Sequence, residues 1–258
     1  MKKWIRFLPF YLAIIMVSCS EAQQLQVFQK HNYINSLNDS LPYRFFIPDH
    51  SGELKLPLIL FLHGSGERGS DNEKQVSNGV INFVTTENQK NHPSFVVVPQ
   101  CPANARWVDV DFRQPFSRQP AEISKPLGMV MALIDSLADQ YPVDKQRIYI
   151  TGLSMGGFGT WDLIERYPAY FAAAVPVCGG GDELLASRLV KIPIWAFHGK
   201  QDNVVMPSRS ENMINAIRKA GGQPLYTAYP DLGHACWEET YSDPELFQWL
   251  FKQTNPLR

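Results

Sequence analysis

The sequence lacks an excess of charge of either sign. Its 24 lysines and arginines stand against 25 aspartates and glutamates, which leaves a formal net charge of −1 at pH 7. It also lacks long runs of like charge, internal repeats and low-complexity tracts. Nucleic-acid-binding proteins carry a clustered basic surface. The sequence therefore predicts no nucleic-acid partner, and 258 residues with a 45% hydrophobic composition are typical of a folded globular protein.

Cysteine is scarce as well, with four in the chain. Cys19 falls in the leader described below, which leaves Cys101, Cys178 and Cys236, an odd number that cannot pair completely. Cys178 and Cys236 are the preferred disulfide, since both lie near the ends of predicted strands, and the alternative is three small buried thiols. No cysteine and histidine cluster has the spacing of a metal site, so we predict no metal.

Long apolar runs are absent except near the N-terminus. There, basic residues precede an apolar run at residues 7–17 and small residues at 18–20. This order predicts a signal peptide over residues 1–22, because the run is too short to span a bilayer comfortably, and a short membrane anchor is the alternative.

The end of this leader has two interpretations. The residues before Cys19 resemble a bacterial lipobox, in which Cys19 becomes the lipidated first residue, although Met16 departs from the usual leucine. The rival interpretation is ordinary cleavage after Ala22. Both predict an exported protein, located in the bacterial periplasm or on the outer membrane or cell surface, and otherwise secreted. Contact with a membrane is expected only through a lipid on Cys19.

Residues 23–258 predict one α/β domain. The continuous apolar run at residues 56–62 is typical of a strand buried on both faces of a parallel sheet. Apolar residues at 125–141 recur with helical spacing. Two strand-like segments, at 28–34 and 41–47, predict an antiparallel hairpin at the sheet edge.

Residues 147–161 predict a strand, a Gly-x-Ser-x-Gly turn and a helix. In a nucleophile elbow such a turn lifts the serine, here Ser154, above the carboxyl end of the strand with its hydroxyl exposed. Gly152 and Gly156 carry no Cβ, so the strand and the helix can approach closely. Taken alone, the motif also fits a glycine-rich turn with an ordinary serine.

Two later segments favour the nucleophile. Asp202 and His234 each follow a predicted strand, and the order serine, aspartate, histidine is that of α/β-hydrolases. Two other aspartates compete for the acidic role. Asp231 lies close to His234 but precedes a Leu-Gly turn, and Asp182 follows another strand.

The loop after the strand at 56–62 is rich in glycine. In this fold such a loop supplies one oxyanion-hole donor, and the residue after the nucleophile supplies the other. By position these are the amides of Ser65 and Met155. Glu67 and Arg68 of the same loop are candidate substrate contacts.

Two tryptophans are further candidate substrate contacts. Trp107 lies in a long aromatic loop at residues 100–116, where it walls the substrate or packs at the surface. Trp237 follows the His234 loop, where it either lines the substrate site or supports the loop by packing against it. Residues 178–192 leave little room for a lid, which predicts an open, shallow site.

Four motifs together resemble the branch of α/β-hydrolases that includes carbohydrate esterase family 1 and proteins described as predicted peptidases. They are the segments Leu62-His63-Gly64-Ser65-Gly66-Glu67-Arg68-Gly69, Pro99-Gln100-Cys101-Pro102, Gly152-Leu153-Ser154-Met155-Gly156-Gly157 and His198-Gly199-Lys200-Gln201-Asp202. Feruloyl esterases, acetylxylan esterases and polyhydroxybutyrate depolymerases are similar. The resemblance implies a mostly parallel central sheet with helices on both faces, no large lid domain, and serine esterase activity without a metal or cofactor.

The resemblance also implies a substrate class. We expect an exported carboxylic ester hydrolase that removes feruloyl or acetyl groups from plant polysaccharides or oligosaccharides, so that its partner is a carbohydrate-linked ester. The sequence departs from the pattern by having no recognisable carbohydrate-binding module. A peptidase or a lipid or polyester hydrolase with the same triad is the alternative, and a non-catalytic surface binding protein is a third interpretation.

Overall fold

The computed structural model of the protein describes residues 27–49 and 54–255. The expected leader at residues 1–22, with its lipidation candidate Cys19, lies outside these ranges. In the part of the chain that the structure describes, no helix combines the length and the apolar character needed to cross a bilayer.

One mixed sheet organises the fold. Its eight strands run in the spatial order β1-β2-β4-β3-β5-β6-β7-β8. The hairpin of β1 and β2 forms an antiparallel edge beside β4, as predicted, and the remaining neighbours are parallel. The strands are β1 (Gln29–Ile34), β2 (Ser40–Phe46), β3 (Leu56–Leu62), β4 (Phe95–Pro99), β5 (Val143–Leu153), β6 (Ala173–Val177), β7 (Trp195–Gly199) and β8 (Leu225–Tyr229).

Helices fill the connections between strands. Ser124 begins the longest of them by accepting a hydrogen bond from the Leu127 amide, which satisfies one free donor of the first turn. The α-helices are α1 (Thr86–Asn91), α2 (Lys125–Gln140), α3 (Met155–Arg166), α4 (Ser208–Lys219), α5 (Trp237–Ser242) and α6 (Pro244–Leu250). Short 3-10 helices occupy Ser65–Glu67, Lys74–Val76, Val80–Val84 and Glu183–Leu189.

Both faces of the sheet are buried. Successive side chains of a strand point to opposite faces. In β3, Leu58, Leu60 and Leu62 pack with α2, α3 and α4, whereas Ile59 and Phe61 pack with α5, α6 and the 3-10 helix at Val80–Val84. The continuous apolar run in the sequence therefore reflects burial on two sides, as predicted.

The chain changes direction at the centre of the sheet. It passes from β3 to β4 on one side and then crosses to β5 on the other side of β3. The loops that leave the carboxyl ends of β3 and β5 therefore separate and leave a crevice, which is where ligands bind in open α/β sheets. No lid covers this edge between β6 and β7, because residues 178–194 contain only the 3-10 helix Glu183–Leu189.

Two glycines allow β3, β5 and α3 to meet. A Cβ on Gly152 would lie 2.5 Å from the carbonyl oxygen of Gly156 and 2.7 Å from that of Leu62. A Cβ on Gly156 would overlap the Leu62 carbonyl even more severely. Real Cβ atoms do not approach backbone oxygen so closely, and these positions therefore require glycine.

We expect Gly156→Ala to lower the free energy of unfolding by about 1–3 kcal/mol or more, because the new Cβ forces the backbones of β3 and α3 apart. Gly128→Ala is the matched control. In the first turn of α2 its new Cβ would meet Ile123 at 3.7 Å, an ordinary contact. Higher helix propensity should make this variant more stable by up to about 1 kcal/mol. Urea denaturation measures both changes, and equal midpoints for the two variants would contradict the close approach.

Candidate active site

Ser154 lies in a strained turn between β5 and α3. Its φ of 53° and ψ of −117° are unusual for a residue with a side chain. The Ser154 amide donates to the Val177 carbonyl at 3.0 Å, which ties the turn to β6. Strain of this kind occurs at functional sites, and in a nucleophile elbow it exposes the serine hydroxyl.

The structure brings Ser154, His234 and Asp202 together, as the sequence predicted. His234 Nε2 lies 2.9 Å from Ser154 Oγ, and His234 Nδ1 lies 2.7 Å from Asp202 Oδ2. The three residues follow β5, β8 and β7, whose carboxyl ends share one edge of the sheet. An ionised carboxylate only accepts hydrogen bonds, so Nδ1 carries the proton and Nε2 is free to accept the serine hydroxyl.

Asp202 is buried but well supplied with donors. Its Oδ1 accepts the amides of Val204 at 2.8 Å and Val205 at 2.9 Å, and its Oδ2 accepts His234 and His198. Burial acts to raise the pKa of Asp202, but the hydrogen bonds from the two histidines and the two amides outweigh it and hold the pKa below its ordinary value. The carboxylate is therefore ionised at neutral pH.

Neither of the two competing aspartates is hydrogen-bonded to His234. Asp231 is exposed. Asp182 accepts a hydrogen bond from Arg118 at 2.9 Å and caps the 3-10 helix through the Leu184 amide at 3.1 Å. Of the three aspartates, Asp202 is the one that is hydrogen-bonded to His234.

The predicted oxyanion donors begin two helices. Met155 is the first residue of α3, and Ser65 is the first residue of its 3-10 helix. The first amides of a helix have no carbonyl partner within the helix and are available to an anion. The neighbouring Gly64 is close to the nucleophile, since a Cβ placed on it would lie 3.7 Å from Ser154 Cβ. This arrangement can stabilise negative charge that develops beside the hydroxyl.

Glu67 and Arg68 support this loop. Arg68 donates to the Ser65 carbonyl at 3.0 Å and to the Ala105 carbonyl at 3.2 Å, which links the loop to the long segment after β4. Glu67 accepts from Asn78 at 2.8 Å. Burial raises the pKa of Glu67, while hydrogen bonds oppose this change. Contact of either residue with substrate stays a prediction.

His63 is a site residue that the sequence reasoning missed. It is fully buried, its Nδ1 donates to the Gly64 carbonyl at 2.6 Å, and its Nε2 accepts the Cys101 amide at 2.9 Å. Burial lowers the pKa of His63 to about 4, although the hydrogen bond to Gly64 opposes this shift. The neutral ring therefore holds the oxyanion loop to the loop after β4. The signal in the sequence was a histidine directly after a buried strand and before the glycines.

The prediction that Trp107 walls the substrate is wrong. Its side chain is completely buried, and its indole Nε1 donates to the His63 carbonyl at 3.0 Å. The ring also packs edge-on against His63. The long aromatic loop turns this side chain inward because the indole N–H finds a buried acceptor there and the ring fills the core.

Trp237 remains a candidate wall. It is half-buried, and its ring lies 5.5 Å from that of His234 in an edge-to-face arrangement. Its Nε1 donates to Glu238 at 3.1 Å. The accessible ring therefore lies beside the imidazole, although its contact with substrate stays a prediction.

The preferred disulfide is not formed. Cys101, Cys178 and Cys236 are buried free thiols, as in the alternative interpretation. The Cys178 and Cys236 side chains nevertheless lie within hydrogen-bonding distance of each other, so the pairing identified neighbours correctly. Burial first, and the Cys236 thiol second, raise the pKa of Cys178 well above its ordinary value. The Cys178 thiol is therefore neutral and packs against Cys236 behind the site.

One group of potential metal ligands occurs among residues 27–49 and 54–255. Ligand atoms of Cys178, Asp202 and His234 lie within 4.8 Å of one another. His234 Nδ1 and Asp202 Oδ2 are already hydrogen-bonded, and burial keeps the Cys178 thiol protonated. A metal needs deprotonated thiolate and free imidazole nitrogen, so this donor set does not fit a cation.

A family model described as phospholipase/carboxylesterase matches residues 50–247. The chain belongs to this family. It is a carboxylic ester hydrolase with the α/β-hydrolase fold, in agreement with the resemblance of its motifs.

Individual relatives agree with this assignment. A probable carboxylesterase of Oryza sativa subsp. japonica is 30% identical over 211 residues, which are 74% of this chain and 76% of that protein. A bifunctional acetylxylan esterase/xylanase of Neocallimastix patriciarum is 30% identical over 96 residues, which are 37% of this chain and 14% of that protein. A thermostable esterase of known crystal structure shares 39% of its aligned sequence with this chain, and the two structures superimpose with a TM-score of 0.84. The match covers 90% of this chain and 64% of that one.

The buried His63 should make stability depend on pH. Its folded pKa is about 4, whereas an unfolded histidine titrates near 6.5. Between these values the unfolded chain binds a proton that the folded protein excludes, so lowering the pH through this window reduces the free energy of unfolding by up to about 3 kcal/mol. His63→Gln, whose amide oxygen can accept the Cys101 amide, should lose this part of the pH dependence.

Urea denaturation at pH 7.5 and pH 4.5 measures this effect. His92→Gln is the comparison, because His92 is half-buried and burial also lowers its pKa. Replacing His92 should reduce the pH dependence of the free energy of unfolding less than replacing His63 does. If the free energy of unfolding of His63→Gln depends on pH as strongly as that of the wild type, the buried ring is not excluded from protonation.

Proposed function

We propose that the protein is an exported serine esterase that removes acetyl or feruloyl groups from plant polysaccharides or oligosaccharides, with Ser154, His234 and Asp202 as its catalytic triad. The observation that carries the proposal is the unbroken hydrogen-bond chain from Ser154 Oγ through His234 to the ionised Asp202. A hydroxyl is a weak nucleophile at neutral pH and needs such a base beside it.

The geometry supports an acyl-enzyme mechanism. Ser154 Oγ attacks the ester carbonyl while His234 Nε2 takes the hydroxyl proton, and Asp202 stabilises the imidazolium that forms. The amides of Ser65 and Met155 stabilise the oxyanion, each worth roughly 3–4 kcal/mol in the transition state. When the tetrahedral intermediate collapses, His234 gives its proton to the leaving alcohol, such as a sugar hydroxyl.

Water completes the reaction. His234, neutral again, removes a proton from a water molecule that attacks the acyl-enzyme carbonyl. The second tetrahedral intermediate collapses, its proton returns from His234 to Ser154 Oγ, and the carboxylic acid leaves. Throughout both halves Asp202 keeps the imidazole in one tautomer and one orientation.

The open edge of the sheet supports a bulky, polymer-attached substrate. Large apolar side chains are exposed in the loops that follow β4, β6 and β7, namely Phe116, Leu184, Val204 and Met206. Exposed apolar surface in loops at the sheet edge that carries Ser154 suits the ring of a feruloyl group or the apolar face of a sugar. The half-buried Trp237 beside His234 adds an aromatic surface on which a sugar can stack. The acetylxylan esterase among the relatives is consistent with this substrate class.

A rate panel tests this function. We expect purified mature protein to hydrolyse p-nitrophenyl acetate, methyl ferulate or acetylated xylan faster than p-nitrophenyl octanoate, because no lid shelters a long acyl chain. Ser154→Ala should reduce every rate by about 10⁴-fold or more while the melting temperature stays unchanged.

The other outcomes point elsewhere. Preference for octanoate would favour a lipid or polyester hydrolase, and cleavage of peptides alone would favour a peptidase. If a fluorophosphonate probe fails to label wild-type protein, a binding protein on a hydrolase scaffold is the better interpretation. Full activity in Ser154→Ala would overturn the triad.

Export would be achieved through the leader, with lipidation at Cys19 as our proposal. Expression in a bacterial host with radiolabelled palmitate should give a labelled, membrane-associated protein, whereas Cys19→Ala should give an unlabelled one. Cleavage after Ala22 would instead leave both proteins unlabelled with the same new N-terminus, as N-terminal sequencing would reveal.

A further inference from the structure

Asp202 has a second histidine bound to it. His198 is the next-to-last residue of β7, its side chain is completely buried, and its Nε2 lies 3.1 Å from Asp202 Oδ2. The same oxygen accepts His234 Nδ1 at 2.7 Å. The two imidazoles therefore hold one carboxylate oxygen between them, and only one of them reaches the serine.

The hydrogen-bond partners decide where His198 carries a proton. Nε2 faces two acceptors, Asp202 Oδ2 and the Val205 carbonyl at 3.0 Å. Nδ1 lies 2.8 Å from Ser210 Oγ, which in turn lies 3.0 Å from the Gly179 carbonyl. Nε2 must be protonated, because a lone pair there would face two oxygens that cannot donate.

This conclusion holds for both charge states of the ring. If the Ser210 hydroxyl donates to Nδ1, His198 is neutral with its proton on Nε2. If the hydroxyl donates to Gly179, Nδ1 also carries a proton and the ring is cationic. In either state Asp202 receives an N–H from His198.

The charged and titratable groups around His198 are few. From its own loop it faces Asp202, with His234 on the far side of that carboxylate. The Cys178 thiol at the end of β6 lies within 4.8 Å of Asp202 and His234. The neighbouring α4 contributes the uncharged Ser210, while Arg209 turns away toward Ser117 and Gly181.

We propose that His198 is a positioning residue for ester hydrolysis, which fixes the Asp202 carboxylate in the orientation that His234 requires. This inference rests on the proposed function of the triad. A carboxylate on a loop can rotate about its terminal torsion, and two amides on Oδ1 restrain one oxygen only. The Nε2 donor of His198 restrains the other oxygen, Oδ2, and draws negative charge from it.

A second consequence concerns the imidazolium of His234. Without the His198 donor, Oδ2 would present more negative charge to His234 and would stabilise its protonated form more strongly. Since only neutral His234 can accept the serine proton, the acid limb of the kcat/KM profile should move to higher pH. Simple loosening of the core has no reason to move that limb in this direction.

Two conservative variants separate these roles. In His198→Gln the amide nitrogen can occupy the place of Nε2 and still donate to Asp202, whereas in His198→Asn the shorter amide reaches only the place of Nδ1. We expect His198→Asn to lower kcat by about 10- to 100-fold with KM changed by less than about twofold. Its acid limb should shift upward, and His198→Gln should restore most of kcat and the wild-type limb.

The controls distinguish failure of this inference from failure of the proposed function. If Ser154→Ala is as active as wild type, the triad itself is wrong. If Ser154→Ala is inactive but His198→Asn matches wild type, only the role of His198 is wrong. Equal losses of kcat in the Asn and Gln variants, with equal drops in melting temperature and an unmoved acid limb, would show a merely structural residue.

Wild-type protein provides an independent check if His198→Asn does not fold. With ¹⁵N-labelled histidine, NMR should show His198 Nε2 protonated from pH 5 to pH 9, with the signal assigned by its loss in His198→Gln. A deprotonated Nε2 anywhere in that range would overturn the proposal, because the ring then has no proton to give to Asp202.

Discussion

The positive φ angle of Ser154 is the constraint on which the rest of the site depends. Such a conformation costs on the order of 1–3 kcal/mol and persists only where the surroundings impose it. Here the Ser154 amide is held by Val177, while Gly156 lies against the Leu62 carbonyl. The packing of β3, β5 and β6 therefore offsets the strain, and the same close approach brings the loop after β3 beside the exposed hydroxyl.

The numbers of hydrogen-bond donors and acceptors around the buried Asp202 and His63 side chains then decide whether each is charged. Asp202 receives four N–H donors and stays ionised despite its burial. His63 meets one acceptor and one donor, and burial keeps it neutral. A buried charge costs several kcal/mol unless hydrogen bonds compensate for it. The loops after β3 and β7 are thus folded around groups whose protonation states are set by burial and by their hydrogen bonds.

The parts of the site that follow strands were predictable from sequence. Ser154, Asp202 and His234 each come at or shortly after the end of a predicted strand, and parallel strands bring such ends to one edge. The roles of Trp107, His63 and His198 were not predicted, because they depend on which hydrogen-bond partners each side chain meets in the fold. Trp107 turns inward to the His63 carbonyl, a partner far from it in sequence. His198 precedes Asp202 by four residues, yet its importance rests on sharing one oxygen with His234.

A difference between strand ends and longer loops explains why the fold indicates the reaction more closely than the substrate. The sheet fixes the carboxyl ends of its strands, and just beyond them Ser154 and Asp202 both lie at hydrogen-bonding distance from His234. Accessible side chains such as Phe116, Leu184 and Trp237 instead lie in loops or near the start of short helices. Apolar side chains at this edge, such as Phe116 and Leu184, are exposed to water. The polymer substrate that we propose requires such an open edge, because a closed cavity would prevent the polymer from extending beyond the ester on both sides.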